Sequence, residues 1–316
     1  MKTASAVAFG FIAVSTATPL RHASRDAATP GCGKPHNSGF NSNPSSHTIN
    51  SGGRDRTYAV RVPDGYNDDP NKPRKLIFDF HGRFGSPEDQ YKNSQYDQYD
   101  AGKEYIGVYP AGVNAAWQGA PYSTEGVDDV LFVKDLLERM RQEYCIDNAH
   151  VYASGKSNGG GFVDTLACSD TGGEFAAFAM AAAALYDDNG VERCSKKRAV
   201  LEAHGGDDAT IPYDGGVTSS GGQVPNIDQW VQWWGERDGF AAEVKSTSQE
   251  EGYETTSFDG VVVHYKIPGL GHCWPSSTGS NSDGGRDYCG DHSLDFTPKV
   301  LEFFGKWDAS NKPQQG

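Results

Sequence analysis

The chain lacks several features that mark common classes of protein. Lys and Arg number 28 against 42 Asp and Glu, so the formal net charge is −14 and a nucleic-acid partner is not expected. No Cys-x-x-Cys pair occurs, which argues against a zinc ribbon. Asn-x-Ser/Thr glycosylation sites are also absent, because Asn43-Pro44-Ser45 is disqualified by its proline. Past the N-terminus no apolar run is long enough to cross a membrane, so no membrane partner is expected.

The N-terminus has the pattern of a secretory signal rather than of a core helix. A positive start precedes the apolar stretch from Ala6 to Val14, which is too short to span a bilayer, and small residues follow up to Ala17. We therefore predict a signal peptide over 1–17 and an irregular, polar lead-in over 18–53, with a short propeptide over 18–26. The mature protein is expected to be soluble and extracellular.

The six cysteines fit an oxidising compartment, where an even count favours three disulfides. Cys145 precedes a strand-like run and Cys168 follows the next helix-like run. A strand of about six residues rises about 20 Å and a ten-residue helix returns about 15 Å, so both cysteines should end at one edge. Cys273 and Cys289 bracket a glycine-rich loop. The predicted disulfides are Cys145–Cys168, Cys273–Cys289 and, by elimination, Cys32–Cys194.

From residue 54 onward, strand-like runs alternate with helical patterns. Asp128 to Tyr144, for example, has apolar residues at helical spacing behind a suitable N-cap. Alternation of this kind predicts a mostly parallel sheet with helices on both faces, in which ligands bind at the carboxyl ends of the strands. No repeat or linker interrupts it, so we predict a single α/β domain over 54–316.

One stretch places a serine where nucleophiles are found. Gly155-Lys156-Ser157-Asn158-Gly159 has the pattern Gly-x-Ser-x-Gly, with a strand-like run before it and a helix-like run after it. A serine on such a tight turn has a strained backbone and an accessible hydroxyl, and the glycines avoid collisions that a Cβ would cause. We predict that Ser157 is a nucleophile.

A serine hydroxyl needs a base, which is usually a histidine oriented by a carboxylate. When the serine lies on a turn between a strand and a helix, the acid and then the histidine are expected to follow it along the chain. Downstream, the strand ending at His204-Gly205 leads to Asp208, our candidate acid, with Asp207 and Asp214 as alternatives.

For the base, His272 lies in a glycine-flanked loop after the last core strand, beside Cys273. His264 lies within an alternating strand and His292 lies in a polar loop, so these two are the alternatives. We predict that His272 is the base.

An oxyanion also needs backbone donors. We assign these to the N–H of Asn158 and, in the loop after an early strand, to the N–H of Arg83, with His81 organising that loop. Aromatic residues near these loops could stack on substrate or could be ordinary loop aromatics. The four are Trp117, Tyr122, Tyr213 and Trp274, and we assign substrate contact to Trp117, Tyr213 and Trp274.

The motifs together extend over nearly all of the mature chain. They are Gly31-Cys32-Gly33-Lys34, Phe80-His81-Gly82, Tyr144-Cys145-Ile146-Asp147, Gly155 to Gly161, Leu166-Ala167-Cys168, His204 to Tyr213, and Gly271-His272-Cys273-Trp274-Pro275. This set resembles the secreted feruloyl esterases of the carbohydrate esterase family 1 type, which are related to polyhydroxybutyrate-depolymerase-like and acetylxylan esterases. Lys156 departs from the resemblance, since relatives often carry a smaller or uncharged residue there.

The resemblance implies an α/β-hydrolase fold over 54–316, a Ser157–Asp208–His272 triad, and neither a metal nor an organic cofactor. It implies a secreted, monomeric serine esterase that hydrolyses feruloyl and other hydroxycinnamoyl esters of plant cell-wall polysaccharide through an acyl-enzyme. The alternatives are an acetylxylan esterase or a polyhydroxybutyrate-type polyester depolymerase. A non-catalytic hydrolase-like binding protein is a further alternative, which the complete set of triad candidates argues against.

Overall fold

The computed structural model describes residues 28–186, 194–241, 244–277, 283 and 286–314. The predicted signal peptide and propeptide lie outside these residues. Across the described ranges, no helix is long and apolar enough to cross a membrane.

Strands and helices alternate through most of the chain. The strands are β1 (Gly39–Asn41), β2 (Thr48–Ser51), β3 (Arg54–Val62), β4 (Arg74–Phe80), β5 (Ile106–Pro110), β6 (Ile146–Lys156), β7 (Ala177–Ala181), β8 (Val200–Gly205), β9 (Gly216–Val217), β10 (Gln223–Val224), β11 (Lys245–Glu250), β12 (Tyr253–Phe258) and β13 (Val262–Ile267). The helices are α1 (Pro87–Ser94), α2 (Asp129–Glu143), α3 (Asn158–Ala167), α4 (Ile227–Asp238), α5 (Arg286–Cys289) and α6 (Phe296–Gly305).

In the described part of the chain, eleven strands form one sheet in the order β1-β3-β5-β4-β6-β7-β8-β13-β12-β11, with β2 paired to β3. The central strands, from β5 to β13 in that order, run parallel. The outer strands pair antiparallel. The carboxyl ends of β4, β6, β8 and β13 therefore lie at the same edge of the sheet, which is where a ligand site is expected.

Helices cover both faces of this sheet. Because strand side chains alternate, Phe78 and Met180 join an apolar core with α2, α3 and α4. Ile77 and Ala179 point the other way and join a second core with α6. The predicted α/β-hydrolase class, with a mostly parallel sheet between helical layers, is confirmed.

Helix α2 illustrates how local sequence sets an element. Its predicted N-cap, Asp128, accepts a hydrogen bond from the N–H of Leu131 at 2.8 Å, which satisfies one of the free donors of the first turn. Phe132, Val133 and Met140 are fully buried against the sheet. The apolar face, rather than helix propensity alone, therefore anchors α2.

The lead-in predicted as irregular is in part a piece of the sheet. Its strands β1 and β2 both pair with β3, and Phe40 stacks on Tyr91 with ring centroids 4.3 Å apart. Short, polar edge strands need no alternating apolar pattern, which is why the sequence pattern did not reveal them.

Two of the three predicted disulfides, Cys145–Cys168 and Cys32–Cys194, are wrong. The structure pairs Cys32 with Cys145 and Cys168 with Cys194, at Cα–Cα distances of 4.0 and 5.2 Å. Strand β6 has 11 residues and α3 has 10, so the strand rises roughly 35 Å and the helix returns only about 15 Å. Cys145 and Cys168 therefore end far apart. The third pair is Cys273–Cys289.

The lead-in carries Cys32 to its partner. The N–H of Gly31 donates to the carbonyl of Arg141 at 3.0 Å, and Thr29 Oγ1 donates to the carbonyl of Tyr144 at 2.7 Å. These contacts hold the lead-in against the end of α2, directly beside Cys145.

We expect non-reducing proteolysis followed by mass spectrometry to recover cross-linked peptides that join Cys32 to Cys145 and Cys168 to Cys194. The same digest after reduction is the control and should contain neither. A cross-linked peptide joining Cys145 to Cys168 would contradict the observed pairing.

Candidate active site

Ser157 lies on the turn between β6 and α3, with φ 55° and ψ −122°. Side chains other than glycine rarely adopt a positive φ, and such strain persists only where surrounding contacts impose it. Here the N–H of Ser157 donates to Ala181, and the N–H groups of Gly161 and Ala184 donate to the Ser157 carbonyl, each at 2.9 Å.

The two glycines of the motif are required by close packing. A Cβ on Gly159 would lie 2.1 Å from the carbonyl oxygen of Phe80, and one on Gly155 would lie 2.7 Å from the carbonyl carbon of Gly159. The turn therefore packs directly against the end of β4, which brings the loop after β4 beside Ser157.

A continuous hydrogen-bond chain runs from Ser157 through His272 to Asp208. Nε2 of His272 lies 2.8 Å from Ser157 Oγ, and Nδ1 lies 2.7 Å from Oδ2 of Asp208. Because the carboxylate only accepts, Nδ1–H donates to it and Nε2 is left to accept the serine proton. This arrangement can activate a hydroxyl for attack on a carbonyl carbon.

The Asp208 carboxylate is held on both oxygens. Oδ1 accepts the N–H groups of Thr210 and Ile211, each at 2.8 Å. Burial alone would raise the pKa of Asp208, but the hydrogen bond from His272 and the neighbouring charges of His272 and His204 hold that pKa below its usual value. The acid is therefore ionised and fixed in orientation.

Burial has the opposite consequence for His272. Burial lowers the pKa of this imidazole, the hydrogen bond and charge of Asp208 raise it, and the charges of Lys156 and His204 lower it again, so that the pKa lies below its usual value. His272 therefore stays neutral, and able to accept a proton, down to pH values below the usual imidazole pKa.

The loop after β4 runs past the serine hydroxyl. A Cβ on Gly82 would lie 3.2 Å from Ser157 Cβ and 3.8 Å from its Oγ. Arg83 follows Gly82, and Asn158 follows Ser157. Within the described residues neither the Arg83 N–H nor the Asn158 N–H donates to a backbone carbonyl of a turn or loop, which agrees with the prediction that these two groups receive the oxyanion.

His81 organises this loop. Its Nδ1–H donates to the Gly82 carbonyl at 2.7 Å, and its Nε2 accepts the N–H of Gly112 at 3.0 Å. Burial lowers the pKa of His81, in agreement with the neutral form that these two bonds require.

The three aromatic residues assigned to substrate contact are wrong for that role. Trp117, Tyr213 and Trp274 are 0%, 4% and 1% exposed. Each polar tip already has a partner: Trp117 donates to the His81 carbonyl, Tyr213 to Asp228, and Trp274 to Thr297. A buried aromatic ring with a satisfied polar tip is a core residue.

The loop after β4, beside Ser157, carries an exposed aromatic residue that was not among the predicted substrate contacts. Gly82 to Gly85 form a tight turn, with the N–H of Gly85 on the Gly82 carbonyl at 3.0 Å. Phe84 occupies the third position of this turn with φ 66°, and the residue is 78% exposed. Glycine or asparagine is favoured there, so a phenylalanine in that position is the signal that could have identified it.

The side chain of Arg83 contacts the residues around this turn. Its guanidinium lies 4.5 Å from the ring centroid of Phe84 and 3.8 Å from that of Tyr122, distances typical of cation–π contact. It also donates to Ser220 Oγ at 3.0 Å. The turn that carries the Arg83 amide is therefore held in place by its own side chain.

The alternative acids and bases lie elsewhere. Asp207 and Asp214 are exposed. His264 is buried beside Glu202, and His292 accepts the N–H of Ser276. Of these candidates, Asp208 and His272 are the two whose contacts connect to Ser157.

Lys156 has a structural explanation. Its Nζ donates to Oδ1 of Asp283 at 2.6 Å, and Oδ2 of Asp283 accepts the N–H of Trp274 at 2.6 Å. This ion pair joins the residue before Ser157 to the loop that carries His272, so it fixes the two relative to each other.

Solved structures share this fold. An acetyl xylan esterase from Aspergillus awamori superimposes with a TM-score of 0.59 at 15% identity, over 79% of this chain and 94% of that one. A thermostable esterase superimposes with a TM-score of 0.52 at 16% identity, over 83% and 62%. No protein-family model matches the chain. The fold is that of an α/β-hydrolase, and it holds a serine, a histidine and an aspartate in one hydrogen-bond chain.

Curated relatives narrow this class. Feruloyl esterase C of Emericella nidulans is 34% identical over 207 residues, which cover 63% of this chain and 69% of the relative. A probable feruloyl esterase C of Aspergillus niger is 32% identical over 200 residues, or 60% and 66%. The chain belongs to the feruloyl esterase C family.

In Gly159→Ala the added Cβ would collide with backbone atoms of β4 and of the following loop. This variant should therefore lower the free energy of unfolding by about 3 kcal/mol and reduce esterase activity. Gly173→Ala is the matched control, since a Cβ there meets nothing within 4 Å. Thermal unfolding and ester turnover measure both effects. Equal stability of the two variants would contradict the close packing of the turn.

The lowered pKa of His272 predicts the acid side of the pH profile. The base must be neutral to accept a proton, so kcat/KM should persist below the ordinary value of 6.5 and fall only as pH drops through the lowered pKa. A pH profile with an uncharged ester measures this. A midpoint at or above 6.5 would contradict the effect of burial.

Proposed function

We propose that this chain hydrolyses feruloyl and related hydroxycinnamoyl esters of plant cell-wall polysaccharide through an acyl-enzyme on Ser157. The observation that carries this proposal is the unbroken chain of hydrogen bonds Ser157–His272–Asp208, at 2.8 and 2.7 Å, in a member of the feruloyl esterase C family.

In the first half-reaction, Nε2 of His272 takes the proton of Ser157 as Oγ attacks the ester carbonyl. The N–H groups of Asn158 and Arg83 receive the oxyanion. Collapse of the tetrahedral intermediate then breaks the bond between the carbonyl carbon and the sugar oxygen. His272 protonates this oxygen as it leaves, so the sugar departs with a hydroxyl and a feruloyl ester remains on Ser157.

In the second half-reaction, His272 removes a proton from water, and the hydroxide attacks the acyl carbonyl. Collapse of the tetrahedral intermediate releases ferulate and returns the proton to Ser157. Asp208 remains ionised throughout and stabilises the imidazolium that forms twice in each cycle.

Phe84 is the substrate-facing aromatic of this proposal, in place of the three buried rings. Phe84 follows the Arg83 amide, and the residue is 78% exposed to solvent. A strained, exposed aromatic ring beside an oxyanion donor is well suited to contact a planar or glycosyl part of the substrate.

The remaining parts of the proposal concern the setting. The lead-in strands β1 and β2 belong to the same sheet as the later strands, so in this proposal the lead-in and the residues after it act as one catalytic domain, and the protein acts as a monomer. The three disulfides among the described residues favour a secreted, extracellular protein.

Release of ferulate, acetate and 3-hydroxybutyrate from matched substrates tests this function. We expect ferulate from methyl ferulate and from feruloylated arabinoxylan fragments, with Ser157→Ala slower by on the order of 10⁴-fold or more because the nucleophile is lost. His272→Ala should behave in the same way, and the more distant His150→Ala, which pairs with Asp147, is the matched control.

Release of acetate or 3-hydroxybutyrate without ferulate would replace the feruloyl assignment by an acetylxylan esterase or a polyester depolymerase. Equal inactivity of wild type and Ser157→Ala on every ester would indicate a binding protein. Full activity of folded His272→Ala would move the base to His292.

A further inference from the structure

Behind the site, strand β8 carries two further ionisable residues, of which the second lies beside Asp208. Glu202 and His204 are two residues apart, so their side chains lie on the same face of the strand. Both are fully buried. The proposed reaction uses neither of them, although burying such groups is costly unless they are paired.

The contacts of His204 determine its protonation. Nδ1 lies 2.9 Å from Oε1 of Glu202, and Nε2 lies 2.9 Å from the carbonyl oxygen of Ile211. A carboxylate and a carbonyl can only accept, so both ring nitrogens must donate. Only the imidazolium carries a hydrogen on each nitrogen, and a neutral ring would turn a lone pair toward one of these oxygens.

The same ring also faces the acid of the site. Nε2 of His204 lies 3.5 Å from Oδ2 of Asp208, and that oxygen accepts the Nδ1–H of His272 at 2.7 Å. Ile211, whose carbonyl His204 binds, donates its own N–H to the other carboxylate oxygen at 2.8 Å. His204 therefore contacts the turn that carries Asp208 at two atoms, Oδ2 of Asp208 and the carbonyl oxygen of Ile211.

We propose that His204 is a permanently protonated positioning residue, held charged by Glu202, that fixes the carboxylate of Asp208 and the basicity of His272. The proposal rests on the proposed function, because it assigns His204 a part in positioning the acid of that reaction.

The charges around the pair agree with this assignment. Burial alone would lower the pKa of His204, but Glu202 and Asp208 raise it above the usual value. Burial alone would raise the pKa of Glu202, but His204 and His264 bring it to about 2. A positive charge behind Asp208 also lowers the pKa of His272.

Other titratable groups face the pair from neighbouring elements. On β13, Nδ1 of His264 lies 2.8 Å from Oε2 of Glu202, and its Nε2 lies 2.9 Å from the hydroxyl of Tyr213. The groups beyond Tyr213 are Asp228 of α4, Glu254 of β12 and Lys266 of β13. None of these contacts Asp208, so His204 is the group through which the cluster acts on the site.

The first test is nuclear magnetic resonance of the whole protein with ¹⁵N-labelled histidine, assigned with His204→Gln. Both ring nitrogens of His204 should stay protonated from about pH 5 to about pH 8, a range in which ordinary histidines titrate. In Glu202→Gln the second proton should be lost within that range. A wild-type His204 that titrates there, or that carries one proton, overturns the proposal.

The second test is the pH profile of kcat/KM for p-nitrophenyl acetate. Loss of the charge in His204→Gln should move the acid limb up by about one unit, which is about a tenfold loss at low pH relative to high pH. His264→Gln is the matched control, because this equally buried imidazole contacts Glu202 but not Asp208. The acid limb of the pH profile of this variant should not move.

A purely structural role would lower thermal stability and kcat at every pH while the limb stayed in place, and that result contradicts the proposal. If His204→Gln does not fold, the signals of His204 are identified as those that shift in Glu202→Gln and are still present in His264→Gln, since Glu202 contacts both of these histidines, and the measurement on wild type decides. Absence of all ester turnover would refute the proposed function alone, since the protonation of His204 is measured without any reaction.

Discussion

The turn between β6 and α3 packs against the end of β4 so closely that residue 159 has no room for a Cβ. This contact holds Ser157 at φ 55° and places the loop after β4 beside the serine hydroxyl. Ser157 and the two amides proposed to receive the oxyanion are thus positioned by one steric constraint. Strands β4 and β7, which flank β6 in the sheet, then provide the contacts that keep this strained residue in place.

Electrostatics complete what packing begins. From the interior outward, Glu202, His204, Asp208 and His272 alternate between acid and imidazole, with neighbouring contacts of 2.9, 3.5 and 2.7 Å. Each buried charge has an opposite or hydrogen-bonding neighbour, so none bears the cost of isolation. The arrangement keeps Asp208 ionised and leaves His272 neutral, which is the state that a general base needs.

The strands that carry the site were predictable because they are short apolar runs that end at a glycine or a polar loop, as β4 and β8 do. Strand β7, Ala177–Ala181, was not identified, since alanine favours helices in isolation. Its small side chains lead into Ala183, where α3 approaches so closely that a Cβ on Gly160 would lie 3.1 Å away. Packing, rather than propensity, makes it a strand.

The sequence by itself predicted the fold class and Ser157, and it favoured Asp208 and His272 among several acids and histidines, because these choices depend on local patterns and on chain order. Tertiary structure decided the partners of Cys145 and Cys168, the burial of Trp117, Tyr213 and Trp274, and the protonation of His204. These depend on how long β6 is and on which atoms meet across the sheet. Such contacts join residues far apart in the chain, and no local pattern encodes them.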